Sequence, residues 1–277
     1  MPKSLAIIGL GLMGGSLGLA AKARGVVDRV TAHARREESR RDALELGADD
    51  AVFDSAEDAV EGADLVVVCT PVLTMPDLVR HFCGRLSAGC VVTDVGSTKA
   101  FLARELGQIL ADSPARFVGS HPMAGSEKTG LDVARVDLYE GARVIVTPAD
   151  GDDDAATRCI SEFWEGIGAA VSVLSPDAHD AVIARTSHLP HLVAAALVSA
   201  IDRGDQDLVP FCGPGFRDTT RVAEGSEAVW HDIVKTNLGS IRQEVDRFSQ
   251  EIAVLKTLLD HEDMDGVRAF LANSREK

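Results

Sequence analysis

The spacing of apolar residues divides this chain into two regimes. Up to about residue 174, short unbroken apolar runs alternate with stretches whose apolar positions recur every three or four residues. Leu5–Ile8 has the length and branching of a buried parallel strand, Ala63–Cys69 reads as an apolar strand and Cys90–Asp94 as another. Asp28–His33, Arg116–Ser120, Arg143–Thr147 and Ala170–Leu174 read as further strands. Between them, helices are predicted from the first glycine turn through Ala23, then over Arg36–Leu46, Leu78–Leu86, Lys99–Leu110 and Asp153–Ile167. Such alternation predicts an α/β domain with a doubly wound, mostly parallel sheet. From Pro176 onward only helical spacing occurs, so the second domain, residues 175–277, is predicted to be all-helical. Within it Ile241, Val245, Phe248, Ile252, Leu255 and Leu259 alternate by threes and fours, a seam that packs internally or against a second subunit. A homodimer through the helical domain is expected.

The first strand runs straight into Gly9-x-Gly11-x-x-Gly14, and a helix follows at once. In a dinucleotide-binding turn the first glycine permits the tight bend. The second admits the pyrophosphate to the backbone, and the third lets helix pack on strand. The helix start, with Leu12 and Met13, then offers unpaired N–H groups to the phosphates. A signal peptide is the bland alternative for this apolar segment. Lys3 alone supplies a basic flank, and glycines at 9, 11, 14, 15 and 18 spoil its helical core, so that reading is rejected. About twenty residues beyond the glycines, where an NAD site carries its acidic residue on the ribose, stand Ala34, Arg35 and Arg36. Guanidinium groups suit a 2′-phosphate, so NADP is favoured over NAD. The competing view is that the two arginines only open a solvated helix.

Charge sharpens the picture. The 277 residues carry a formal charge of −15, which argues against nucleic acid or an anionic membrane as partner. An anionic small molecule must therefore be held by local cations against the overall field. The apolar run Leu192–Ile201 is too short to cross a bilayer. Five cysteines without metal-ligand spacing read as reduced thiols, and a cytoplasmic protein with no metal is expected.

The candidate chemistry lies on strand ends and loops. Thr70-Pro71 closes an apolar strand and faces the expected cofactor crevice. Ser97, in Asp94-Val95-Gly96-Ser97-Thr98-Lys99, is placed to cap the following helix, to meet a ligand, or both. His121 opens a polar, glycine-rich loop running through Ser126 and Glu127 to Gly130, where an imidazole locked by Pro122 can accept a proton. Farther on, Ser187-His188-Leu189-Pro190-His191 puts two histidines on one helix face with a bend between them. Arg217 and Arg221, one turn apart, can clamp a carboxylate or can pair with Asp218 or Glu224.

Taken together, GLGLMGGSLG, DVGSTK, GSHPMAGSEKTG, TSHLPHLVAAAL and GFRDTTRVA occur in an order that resembles the prephenate/arogenate dehydrogenase family, over about residues 4 to 260. The resemblance implies a Rossmann-like domain followed by an all-helical dimerisation domain. It implies oxidative decarboxylation of prephenate or L-arogenate, giving 4-hydroxyphenylpyruvate or L-tyrosine. By it, His121 accepts the substrate hydroxyl proton and Ser97 hydrogen-bonds the same hydroxyl. Arg221 holds a carboxylate, His191 lines the substrate pocket, and Ser126, Glu127 and Arg217 belong near it. Gly9, Gly11, Leu12, Met13, Gly14, Ala34, Arg35, Arg36, Thr70 and Pro71 are then the cofactor residues. Many members carry aspartate where this chain has Ala34. No further domain is evident, so a single-activity enzyme is expected. The rival expectations are a β-hydroxyacid dehydrogenase, which would place a lysine where this chain has the SHLPH pair, and a non-catalytic NADP(H)-sensing dimer.

Overall fold

The computed structural model describes residues 2–125, 128, 130–149, 154–201 and 208–275. Six parallel strands form the main sheet: β1 (Ser4–Ile8), β2 (Arg29–His33), β3 (Ala51–Phe53), β4 (Leu65–Val68), β5 (Val91–Asp94) and β6 (Arg116–Phe117), in the order β3-β2-β1-β4-β5-β6. The order reverses between β1 and β4, and a crevice opens there beyond the strand C-termini. Helices α1 (Leu12–Arg24), α2 (Glu37–Leu46), α3 (Ala56–Ala59), α4 (Met75–Phe82) and α5 (Ala100–Ile109) connect these strands. β1 and β4 are buried on both faces, as their unbroken apolar runs require. Side chains from alternate positions feed two cores. Leu5 and Ile7 enter one with Leu17, Phe163 and Trp164; Ala6 and Ile8 enter the other with Val79, Phe82 and Leu102.

A second, three-stranded sheet adjoins the first: β7 (Gly119–Pro122), β8 (Arg143–Thr147) and β9 (Ala170–Val173), with β7 antiparallel to β8 and β8 parallel to β9. α6 (Asp154–Ile167) links β8 to β9 and buries Phe163 and Trp164. Each such buried side chain contributes about 1.5–3 kcal/mol relative to exposure. The single strand expected over Arg116–Ser120 is thus two strands in two sheets. The Val118 N–H still bonds to the Val92 carbonyl of the main sheet, but the next N–H to continue that ladder, Ser120's, is taken by the Asp94 side chain at 3.3 Å. From Gly119 the chain pairs with β8 instead. The helix expected over Leu78–Leu86 begins earlier, at Met75, with Pro76 in its first turn, and degrades to a 3₁₀ turn at Cys83.

Past Val173 the described chain is helical. α7 (Pro176–Ile183), a π turn over Ala184–His188 and α8 (Leu189–Ile201) make one continuous rod. The π turn stands just ahead of Pro190, where a bend was expected. Unlike the Leu192–Ile201 run alone, the rod of 26 residues is long and apolar enough to cross a bilayer. However, its His179, Asp180 and His188 are buried and hydrogen-bonded within the protein. α9 (Pro214–Thr220), α10 (Glu227–Thr236), α11 (Leu238–Asp260) and α12 (Met264–Arg275) complete the chain. Of the expected seam on α11, Ile241 is buried whereas Ile252 and Leu259 are about half exposed at 49% and 52%. Val198 and Phe211 of the helical domain are also exposed, Phe211 at 84%. Unpaired apolar surface on this scale suits a protein partner.

Candidate active site

The cofactor crevice is built by the glycine turn. Gly9 has φ +108°, a left-handed conformation that glycine adopts without strain. A Cβ on Gly14 would stand 2.1 Å from the Gly9 carbonyl oxygen, so only glycine lets α1 begin this close to β1. At Gly11 a Cβ would meet nothing within 4 Å, and no side chain caps the start of α1. That combination, open space in front of unpaired helix N–H groups, fits a dinucleotide pyrophosphate. The adjoining cavity, about 710 Å³, is lined by Gly9, Gly11, Ala34, Arg35, Arg36, Thr70 and Pro71 among others. Leu12, Met13 and Gly14 do not line it, because their side-chain positions turn into the helix and core. Other lining residues were not among those predicted, including the polar His33, Ser39, Thr74 and His81. Nor was Arg40; its guanidinium bonds the carbonyls of Ala34 and Arg35, each at 3.0 Å, and so fixes the loop carrying Arg35. Arg35 and Arg36 themselves are exposed and form no ion pair among the described residues.

A second cavity, about 440 Å³, opens between the His121 loop and the helical domain. Gly125, Ser187, His191, Arg221, Gly225 and Trp230 face it. The His191 and Trp230 rings stack with centroids 3.4 Å apart. His191 and Arg221, thirty residues apart, therefore share one pocket. Arg217 is exposed and does not line it. Neither arginine pairs with Asp218 or Glu224, so the surface ion pairs weighed for them do not form. Ser126 and Glu127 lie outside the described residues.

His121 sits on β7, buried, with Nδ1 2.8 Å from Nε2 of His179. Behind it, Lys99 and Asp94 form an ion pair with no exposure, and the Lys99 ammonium also donates to the Ser120 carbonyl at 2.8 Å. Burial pushes the His121 imidazole well below the ordinary histidine value, and neighbouring His179 and Lys99 push it the same way. His121 is therefore neutral at pH 7 and able to accept a proton. A chain of contacts joins it to the second cavity. Asn237 donates to the Asp180 carbonyl at 2.8 Å and to Nδ1 of His188 at 3.4 Å, and His188 meets the edge of Trp230. Burial holds His188 down at about 4, and its Nε2 has no hydrogen-bond partner among the described residues.

Ser97 does not cap α5. The helix starts at Ala100, beyond the reach of that hydroxyl, and its first N–H groups are taken by a carboxylate from the other regime of the chain. Asp180 on α7 accepts from Lys99 N–H at 2.8 Å and Ala100 N–H at 3.0 Å. Ser97 is half-buried and no hydrogen bond joins it to His121. Its neighbour Thr98 instead bonds Thr236 of α10 at 2.8 Å.

His121 itself lines neither cavity. A parallel sheet of this order and an open glycine turn, together with a neutral buried imidazole, define a nicotinamide-dependent dehydrogenase. The chain belongs to the prephenate dehydrogenase family. Its nucleotide-binding domain model matches residues 17–173 and its dimerization domain model residues 175–273. Prephenate dehydrogenase of Bacillus subtilis is 35% identical, the match covering 100% of this chain and 75% of that protein. The crystal structure of prephenate dehydrogenase from A. aeolicus in complex with hydroxyphenyl propionate and NAD+ superposes with a TM-score of 0.92 at 33% identity, over 99% of this chain and 96% of the other. Synechocystis arogenate dehydrogenase gives 0.86 at 26% identity, covering 99% and 98%. These matches do not favour the β-hydroxyacid dehydrogenase alternative.

Proposed function

We propose that this enzyme oxidatively decarboxylates prephenate, L-arogenate or both, within tyrosine biosynthesis in the cytoplasm. The observation that carries the reading is the neutral, buried His121, tied by continuous contacts to the pocket of His191 and Arg221. His121 accepts the proton of the substrate's ring hydroxyl. Arg221 pairs with a substrate carboxylate, supplying the local cation that a chain of charge −15 otherwise lacks. His191, held flat against Trp230, lines the ring, and Ser97 meets the hydroxyl once substrate is bound. Ser126 and Glu127 are assigned to substrate binding on the family resemblance alone, and Arg217, outside the cavity, is not. As O–H breaks, the C–H bond on the hydroxyl-bearing ring carbon gives up its hydride; the C–C bond to the departing CO2 then breaks, its electron pair enters the ring, and the ring becomes aromatic. The bound nicotinamide supplies the hydride acceptor. The protein's own contribution is orientation and electrostatics. Following reduced-cofactor absorbance with prephenate and with L-arogenate, each with NAD and NADP, tests the proposal. Turnover with at least one pair is expected; silence in all four rejects it and favours a non-catalytic sensor.

NADP is the preferred cofactor in this reading, held by Gly9, Gly11, Leu12, Met13 and Gly14 at the pyrophosphate and by Thr70 and Pro71 along the crevice. Unpaired Arg35 and Arg36 beside buried Ala34 support a 2′-phosphate contact, since no carboxylate lines the cavity among the described residues. Arg35→Ala is expected to weaken NADP by about 10-fold or more, as loss of a charge-assisted hydrogen bond does, with NAD little changed. Equal weakening in a fluorescence titration counts against the contact. We also assign the nucleotide domain to residues 1–174 and the helical domain to residues 175–277. Two copies meet through the exposed apolar surface of the latter, which matches a dimerization domain.

A further inference from the structure

His179 is wholly buried and uses both ring nitrogens. Its Nε2 lies 2.8 Å from Nδ1 of His121, and its Nδ1 lies 2.9 Å from Oδ1 of Asp180. A carboxylate only accepts, so Nδ1 of His179 carries the proton. Neutral His179 then presents a lone pair at Nε2, and Nδ1 of His121 must donate to it. What remains on His121 is Nε2 without a proton. We propose that His179 and Asp180 are positioning residues that hold His121 in the one tautomer able to take the substrate's proton. The inference rests on the reading of His121 as the base.

The anchor of this relay is unusually firm. The Asp180 oxygens also accept the Lys99 and Ala100 N–H groups, at the positive end of α5. Because α7 follows β9 and α5 follows β5, the carboxylate clamps the helical rod to the nucleotide-binding sheet and aligns the base by the same bonds. The relay also offsets a cost of the site's construction. Burial weakens His121 as a base, and the flanking Lys99 weakens it further. When Nε2 takes a proton from the breaking O–H bond, the new imidazolium keeps its Nδ1–H on His179, with the Asp180 charge behind. Groups facing the pair are Lys99 on the start of α5, Asp94 on β5, His188 in the π turn and Asp180 on α7. Of these, Asp180 is the anion in direct contact with the pair.

Steady-state kinetics of the full-length protein across pH test this, with Asp180→Asn, His179→Gln and His179→Ala. Each variant is expected to lower kcat about 10²–10³-fold with KM within about threefold, in the range of a mis-set catalytic base. Asp180→Asn is also expected to move the acid limb of kcat to lower pH, because the charge favouring the imidazolium is gone. A lost helix cap alone would leave that limb in place. Added imidazole is expected to restore part of the His179→Ala rate. Independently of any variant, ring 15N resonances of the wild-type protein are expected to report Nδ1 protonated and Nε2 bare on His121. Wild-type kcat and acid limb in folded His179 variants, or the opposite tautomer by NMR, overturns the relay. His121→Asn separates the two ideas: its inactivity alongside normal His179 variants rejects the relay alone, whereas its full activity rejects the base and the relay together.

Discussion

Asparagine in place of His121 is expected to lower kcat by about 10²–10⁴-fold, the usual worth of a general base, with NAD(P) affinity and fold retained. The choice of asparagine matters. Its amide overlays the Cγ–Nδ1 edge of the imidazole and can still donate to Nε2 of His179, so the buried lone pair keeps a partner. Nothing then reaches where Nε2 stood. Titration of the wild-type enzyme should agree. The base works only when neutral, and burial pushes His121 down, so kcat is expected to be level through pH 7 and to fall only below the ordinary histidine value of 6.5. An acid limb at or above that value, or undiminished turnover in His121→Asn, would remove this residue from the mechanism.

The parts of this molecule legible in the sequence are those set by a single local requirement. Leu65–Val68 is buried on both faces and therefore uniformly apolar. Gly9 and Gly14 are glycines because a backbone oxygen or a left-handed φ excludes anything larger. What escaped depends on partners distant in the chain. Ser97 has the chemistry of a helix cap, yet the cap comes from Asp180, 81 positions from Lys99, and nothing local to Ser97 announces that. His179 and Asp180 did carry a signal. On α7 the buried positions are Pro176, His179, Asp180 and Ile183, an apolar-face spacing occupied at its centre by two titratable groups. Charged residues in core positions without a local partner point to a bond elsewhere. Lys99, with no exposure at all, is the same signal inside the DVGSTK segment. The division of Arg116–Ser120 between two sheets was illegible for a different reason. A side-chain carboxylate, Asp94, intercepts a main-chain N–H, and no periodicity records that.

Two alanine substitutions at the glycine turn are expected to separate cofactor binding from folding. In Gly14→Ala the new methyl meets the Gly9 carbonyl oxygen at 2.1 Å and Ile7 Cγ2 at 3.1 Å. Backbone cannot yield there unless the turn opens, so α1 must move away from β1. Overpacking of that kind costs about 1–3 kcal/mol of stability, read as a lower midpoint in urea. The displaced N–H groups at the start of α1 also lose their aim, and with two charge-assisted bonds at about 1.5 kcal/mol each the affinity for NAD and NADP falls about 10²-fold together. Gly11→Ala differs in kind. Its methyl meets no protein atom within 4 Å, so the urea midpoint stays near wild type. It occupies the space through which a pyrophosphate approaches the backbone, and affinity for both cofactors is expected to drop as far as in Gly14→Ala. Neither variant discriminates between the cofactors, in contrast to Arg35→Ala, because the pyrophosphate is common to both. Undiminished cofactor affinity in a stable Gly11→Ala protein would take the turn out of the binding site and leave its glycines with a packing role alone.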